Sequence, residues 1–413
     1  MAIYTKATDF AAKDALLKGN PNKIVKGVEI NNEFVNIASA FNQVLVRGEQ
    51  ATDTVQDLLT VDPAVISSVF VIDYHSDVTG GGGNFVWDAT AVKNTHNGGT
   101  IIDPDVTYPT DWTNQTQLTT WFDGTANVTT GCWIRKYEDA TYVNFFGAKG
   151  DETTDDTKAI QKTVNSSKHI KFSYGTAGIY KITAAIAITT AGKVLEWENN
   201  DIVIKKLYNG TVFNVLAGFT RFVNVGISGN GVSGYTGAGI EFGDVATYST
   251  FDCSIINPKI QATLDSCILF RGLRAGSGLV VDGGTLITYQ DPAWAGASSS
   301  GFPSIRLVGP EDATTTPRTF VNITSSGGIL LDATGMNTFK VSNCFTGTIL
   351  FSGNPDVTGT NQVAQQGAID GTYVRDGLNV DGIEVSIDNC LSHGYAPLTW
   401  DVYGGTPTVF STD

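Results

Sequence analysis

The chain has 413 residues, 46 of them Gly, and a formal net charge of −15. Charged residues make up 16% and apolar residues 41%, a balance that suits a folded, β-rich, turn-rich protein and not a long-helix or disordered one. The acidity and the lack of a basic run argue against a nucleic-acid partner, and no run of 18 apolar residues exists to insert in a membrane.

Charges in the first 19 residues stand where a secretory signal needs an apolar stretch, so synthesis in a cytoplasm is expected. The five cysteines (Cys132, Cys253, Cys267, Cys344, Cys390) are odd in number and widely spaced. That argues against a disulfide framework and against structural zinc. His75, His96, His169 and His393 show no metal-ligand spacing, so no metal and no cofactor is expected.

Residues 1–60 carry the clearest helical signal. Ile30, Phe34, Ile37, Phe41 and Val44 recur at steps of four and three, which sets them along one stripe of a helix. Gly27 and Gly48 are its expected boundaries. The stripe fits either a helix packed on its own domain or a short bundle that buries it between copies. A second helix is expected over roughly residues 49–60. Residues 1–48 carry a net charge of +2, so the remainder carries −17; the two ends are expected to face different partners.

Residues 61–146 read as short strands and turns, a small β module. Its four-glycine run, Gly80 to Gly83, lacks a following Gly-Lys-Ser/Thr and sits between strands, so it reads as a turn and not as a phosphate cradle. At residues 147–165 the character changes. Thr154 is the expected cap of a short helix whose first turn holds Asp155 and Asp156, with Ala159, Ile160 and Val164 on one apolar face.

From Ile170 to Leu398 short strands are punctuated by Gly and Asn. Similar units recur at 222–229, 279–286, 304–309, 320–331, 339–349 and 385–390. A loose repeat of about 20–25 residues implies a solenoid. Its first coil would leave an apolar end and an unpaired edge, which the preceding amphipathic helix would cover, with Ile160 and Val164 pointing into the stack.

The segment FGAKGDETTDDTKAIQ, residues 146–161, resembles the start of pectate-lyase-like right-handed β-helices in bacteriophage tailspikes; Glu152 stands where that family often has Gly. The turn at 172–178 departs from the family's shorter Pro-containing one. Upstream, Gly80 to Gly83, Phe85, Trp87, Asp88, Asn97 to Thr100 and Gly131 to Arg135 resemble a small β module of phage tail proteins. Residues 19–38 resemble the virion-proximal segment of podophage tail fibres and spikes.

The resemblance implies a mainly β protein: a right-handed parallel β-helix preceded by a small β adaptor module and a short N-terminal helical anchor, in a homotrimer. It divides the chain into an anchoring segment, 1–60, an adaptor, 61–146, and a cap helix with β-helix, 147–413. It implies a virion tail component made in the host bacterial cytoplasm. Residues 1–60 would dock on phage tail or portal-adaptor proteins, with Ile30, Phe34, Ile37, Phe41 and Val44 as the anchoring and trimer residues. The β-helix would recognise a host surface polysaccharide.

Such proteins often cleave their glycan, by hydrolysis or elimination. Hydrolysis needs two carboxylates roughly 5–9.5 Å apart. Glu196 and Glu198, two positions apart on an expected strand, would face one way about 7 Å apart, either as a pair or as a solvated strand face. Glu241 with Asp244 lies at a Gly-rich turn, and Asp265 and Asp282 are expected one coil apart; these four are the catalytic candidates. Tyr289, Asp291, Trp294 and Phe302 flank a Ser/Gly-rich insertion and are the candidates for substrate binding, against ordinary loop packing. The alternatives to an adsorbing tailspike are a glycan depolymerase and a non-catalytic tail connector.

Overall fold

The structure is a computed structural model that describes residues 6–47, 50–124, 126–229, 235–243, 252–263, 265–271 and 278–288, and, beyond 304, a series of strands. Helices α1 (Phe10–Asp14) and α2 (Gly27–Arg47) open the chain. α2 covers the expected stripe. Ile30, Phe34 and Ile37 are exposed, Phe34 at 65%; the side chains of Phe41 and Val44 lie outside the described residues. Lys13 pairs with Glu29 at 2.7 Å and so ties α1 to α2 on another side.

The expected second helix is largely a strand and a single turn. β1 (Gln50–Thr52) is followed by α3 (Val55–Leu58). Thr54 and Asp57 form a reciprocal capping box that starts α3 and leaves no room for the longer helix.

The β module contains β2 (Ser68–Asp73), β3 (Gly81–Val92), β4 (Ile101–Ile102), α4 (Gln115–Asp123) and β5 (Thr130–Lys136). The sheet order is β1-β2-β3-β5-β4, with β1 parallel to β2 and the other pairings antiparallel. The glycine run surrounds an arginine. Buried Arg135 donates from Nε to Gly99 O at 3.0 Å, from Nη1 to Gly82 O at 2.5 Å and from Nη2 to Gly81 O at 2.9 Å. Its guanidinium carbon lies 4.4 Å from the Phe85 ring centroid and 4.3 Å from that of Phe145. Gly81 has φ 75°, and a Cβ there would sit 2.2 Å from the Asn144 carbonyl oxygen. The backbone must therefore be bare at this point.

The module passes through β6 (Thr141–Tyr142) and β7 (Asp151–Asp155) into α5 (Thr157–Ser166). Thr154 is not the cap of α5. It lies in β7 and bonds Asp151, while Asp155 accepts the Thr157 N–H at 3.1 Å. Asp156, at the N-cap position, turns inward and accepts the N–H groups of Lys149 (2.7 Å) and Gly150 (3.1 Å). Glu152, where the resembling family has Gly, takes φ 67°, and its carboxylate bonds Lys205 at 2.7 Å.

Behind α5 the chain winds into a parallel β-solenoid with three faces. The first coil supplies β8 (His169–Phe172), β9 (Ile179–Ile182) and β10 (Ile186–Ile188). The next supplies β11 (Val194–Trp197), β12 (Val203–Lys206) and β13 (Phe213–Val215). After them come β14 (Arg221–Val223), β15 (Gly226–Ser228) and β16 (Ile240–Phe242), then β17 (Cys253–Ile256), β18 (Lys259–Thr263) and β19 (Ile268–Arg271), with β20 (Gly278–Asp282) opening a further coil. On the first face Ile170, Leu195, Phe222, Ile255, Val281, Ile323, Val341, Ile369 and Ile387 stack in register.

Period-two alternation explains the core. Ile170, Phe172, Leu195, Trp197 and Phe222 are buried, and the Phe172 and Trp197 rings stack at 4.1 Å. The punctuating asparagines sit at the corner after the first face. Asn224 (φ 55°) and Asn257 (φ 50°) adopt the left-handed conformation that Asn tolerates, and Asn257 Nδ2 donates to Asn224 Oδ1 at 2.9 Å.

α5 closes the end of the stack. Ile160 and Val164 are buried in the core. The Gln161 amide donates to Ala187 O at 2.9 Å and accepts from Ala187 N at 2.7 Å. One side chain thus replaces the neighbouring strand that β10 lacks. Among the described residues no helix is long and apolar enough to cross a membrane.

Candidate functional site

Of the four carboxylate candidates, Glu241, Asp265 and Asp282 lie among the described residues, and Asp282 stands apart from the other two. Asp282 ends β20 on the first face, exposed, stacked on Ile256 below and Thr324 above. Asp265 is not its neighbour one coil away; it precedes β19, at the corner between the second and third faces. The register breaks the expectation, because Asp282 and Asp265 occupy different corners of the coil. Asp244, Tyr289, Asp291, Trp294 and Phe302 lie outside the described residues.

Glu241 and Asp265 lie on neighbouring coils near one corner, four register positions apart. Glu241 is half-buried in β16 and pairs in register with Leu269 of β19. Asp265 lies just before β19, where Gly237 stands one coil earlier. Glu241 Oε2 accepts the Thr211 hydroxyl at 2.8 Å, and the Tyr208 hydroxyl donates to Thr211 O. Burial pushes the Tyr208 phenol well above its usual range, so it remains a donor at neutral pH. The Asn209 amide oxygen accepts the Thr236 N–H at 3.1 Å. This corner therefore gathers a carboxylate, hydroxyls and amides, the groups that bond sugar hydroxyls.

Sequence reasoning missed Tyr208, Thr211 and Lys206. Lys206 is fully buried beneath this corner. A signal was present: in Val203-Ile204-Lys205-Lys206 strict alternation puts Lys206 on the same side as Ile204.

Glu196 and Glu198 do not form a pair on one strand face. β11 ends at Trp197, and Glu198 is exposed beyond it. Glu196 instead lies 2.8 Å from His169 Nε2 and 3.8 Å from Lys171 Nζ. It belongs to an outer-face charge cluster that Asp139 joins at 3.5 Å from His169 Nδ1. Among the described residues no group of His, Cys, Asp and Glu is arranged to hold a metal ion.

The β module meets the solenoid through a buried joint. His75 Nε2 lies 2.9 Å from Gly147 O, and its Nδ1 lies 3.0 Å from the Tyr108 hydroxyl. Lys149 pairs with Asp77 at 2.7 Å, and Lys162 with Asp123 at 3.2 Å. Lys158 donates to Gln115 O at 2.7 Å. The module is thus seated on the cap of the solenoid.

Residues 51–138 match the family model of the phage tail protein small four-stranded β-sheet domain. The antiparallel strands β2 to β5 lie within that match, with β1 added along the β2 edge. The chain thus joins a parallel β-helix to a segment, residues 51–138, that matches a phage tail domain. No curated protein matches it.

Among solved structures it is similar to the enzymatically active domain of tailspike protein 2 of bacteriophage CBA120: 14% identity, 89% of this chain and 59% of that one, TM-score 0.42. It is also similar to WceF of Pantoea stewartii, described as a glycan biofilm modifying enzyme with a tailspike-like parallel β-helix fold: 12% identity, 88% and 52%, TM-score 0.46. A third is tailspike gp49 of Acinetobacter baumannii bacteriophage Fri1, described as a capsular polysaccharide depolymerase: 11% identity, 84% and 76%, TM-score 0.42. The chain spans less than two thirds of the length of the first two.

Proposed function

We propose that this chain is a virion tail component, a tailspike or tail fibre, that recognises a host surface glycan. Residues 1–60 would anchor it to a tail or portal-adaptor protein, residues 61–146 would serve as the adaptor, and the solenoid of 147–413 would present the glycan-facing surface. The observation that carries the reading is the phage tail β module seated on the capped end of a parallel solenoid. The exposed stripe Ile30, Phe34 and Ile37 supports a homotrimer, because three copies would bury it together.

The test has two arms. Sedimentation of the full chain should give three times the monomer mass. Immobilised capsular and O-antigen polysaccharides should retain it. A monomer that retains no polysaccharide sinks the proposal.

A second reading, that the protein also cleaves the glycan, draws on the Glu241 carboxylate, held by the Thr211 hydroxyl at 2.8 Å near the corner that Asp265 borders on the next coil. Incubation with a retained polysaccharide should then release reducing ends, for a hydrolase, or unsaturated ends, for a lyase. Glu241→Gln should stop release. Intact polysaccharide after long exposure leaves the adhesive reading alone.

A further inference from the structure

The corner that carries Thr211 and Glu241 is built around an enclosed cation. Lys206 Nζ donates to Gly210 O at 2.9 Å, to Thr236 O at 3.0 Å and to Gly237 O at 2.7 Å. An ammonium has three N–H donors and no acceptor, so every proton has its own carbonyl. Gly210 belongs to the turn after β12, while Thr236 and Gly237 belong to the turn before β16 in the following coil. The ammonium therefore ties two successive turns together.

The turns are also in close contact by themselves. Gly210 N–H donates to Thr236 O at 2.8 Å. At Gly237, with φ 105°, a Cβ would lie 2.4 Å from the Gly210 carbonyl oxygen. On their outer side stand Thr211 and Glu241, joined at 2.8 Å.

We infer that Lys206 is a positioning residue whose enclosed ammonium holds these two turns so that Thr211 and Glu241 are presented together to a glycan. The inference rests on the glycan reading above. An apolar side chain at this position would take the donor from the Gly210 and Gly237 carbonyls and leave Thr236 O with the Gly210 N–H alone, the costly arrangement for buried polar groups.

Burial holds the Lys206 amine down to about 8, against a smaller upward pull from Asp265, so at pH 7 it is mainly the ammonium, with all three donors in place.

Millisecond hydrogen–deuterium exchange on the full chain at pH 7 tests the inference: peptides covering 207–212 and 235–239 should lose about tenfold protection in Lys206→Met. Lys193→Met is the control: Lys193 is also buried, but bonds Val164 O at 2.6 Å at the cap end, and it should leave the corner unchanged. Wild-type protection in Lys206→Met overturns the inference. If Lys206→Met does not fold, Lys206→Gln is read instead: its amide keeps two donors, but its shorter stem holds them out of reach of the carbonyls, and wild-type protection there overturns the inference equally.

Biolayer interferometry against purified capsular and O-antigen polysaccharides supplies the second readout. Tenfold weaker binding by Lys206→Met supports the presentation role; equal binding overturns it. A wild-type chain that binds none of them sinks the glycan reading itself, and the presentation role with it.

Discussion

Mild acid is expected to loosen the β module through two buried histidines. His75 faces the Gly147 carbonyl with Nε2, so that nitrogen carries the proton and Nδ1 accepts from the Tyr108 hydroxyl. His96 does the same with other partners: Nε2 donates to Trp121 O at 2.5 Å, and Nδ1 accepts the Asp103 N–H at 2.8 Å. Both rings are thus held neutral, and burial is the main reason that each is held down to about 4. In the unfolded chain a histidine titrates near 6.5. The stability that each contributes is therefore fully present above about pH 6.5 and is lost as pH falls towards 4.

At pH 5 each histidine has given up about 2 kcal/mol, from roughly 1.5 pKa units at about 1.36 kcal/mol each. The two share no hydrogen-bond partner, so the loss is about 4 kcal/mol together. Amide exchange measured at pH 8 and pH 5, corrected for intrinsic rates, should show opening of β2, β3 and β5 rising by about three orders of magnitude. Amides around Phe222 and Ile255 should hold. A change below tenfold in the module would refute the argument.

Other expectations follow from single contacts. Gln161→Ala removes both partners of Ala187 and should destabilise the first coil by about 1–3 kcal/mol, read by chemical denaturation. Trp197→Ala removes a ring stacked on Phe172 and should cost about 3–5 kcal/mol in the same assay. Phe34→Asp should shift sedimentation from trimer to monomer while amide protection of the β module stays unchanged; a persistent trimer would place association elsewhere. Gly81→Ala should prevent the module from forming, seen as loss of protection in β2 and β3.

Much of the architecture was legible because it follows from periodicity. The step-four and step-three spacing from Ile30 to Val44 marks α2, and alternation in β8 and β11 marks the inward Ile170, Phe172, Leu195 and Trp197. What could not be read depends on backbone conformation and register. Glu itself does not announce a left-handed residue; the one hint of φ 67° at Glu152 is the Gly that the resembling family often has there. The capping role expected of Thr154 fell to Asp155, since local spacing does not tell where a strand stops and a helix starts.

Carboxylate placement failed for a related reason. The step from Val281 to Ile323 is one coil, and so is the much shorter step from Ile323 to Val341. With coils so uneven, sequence distance does not give spatial neighbours, and Asp265 and Asp282 were expected together although they occupy separate corners. Lys206 carried the opposite trap. Its charge suggests a surface, while its place in the alternation puts it inside.

The strands of the solenoid lie across its long axis, so their backbone hydrogen bonds run along it. A tensile load applied from tip to cap is shared by all three faces at every level, and the shaft behaves as a stiff strut. The seam with the β module is built differently. Its apolar core is continuous with that of the solenoid, through Phe146, Ile160 and Val164, and at its rim stand the pairs of Lys149 with Asp77 and Lys162 with Asp123, whose carboxylates face solvent. Salt weakens only such rim pairs, so the module should keep its angle to the solenoid at high ionic strength, as a handle fixed by its tang and not by its rivets.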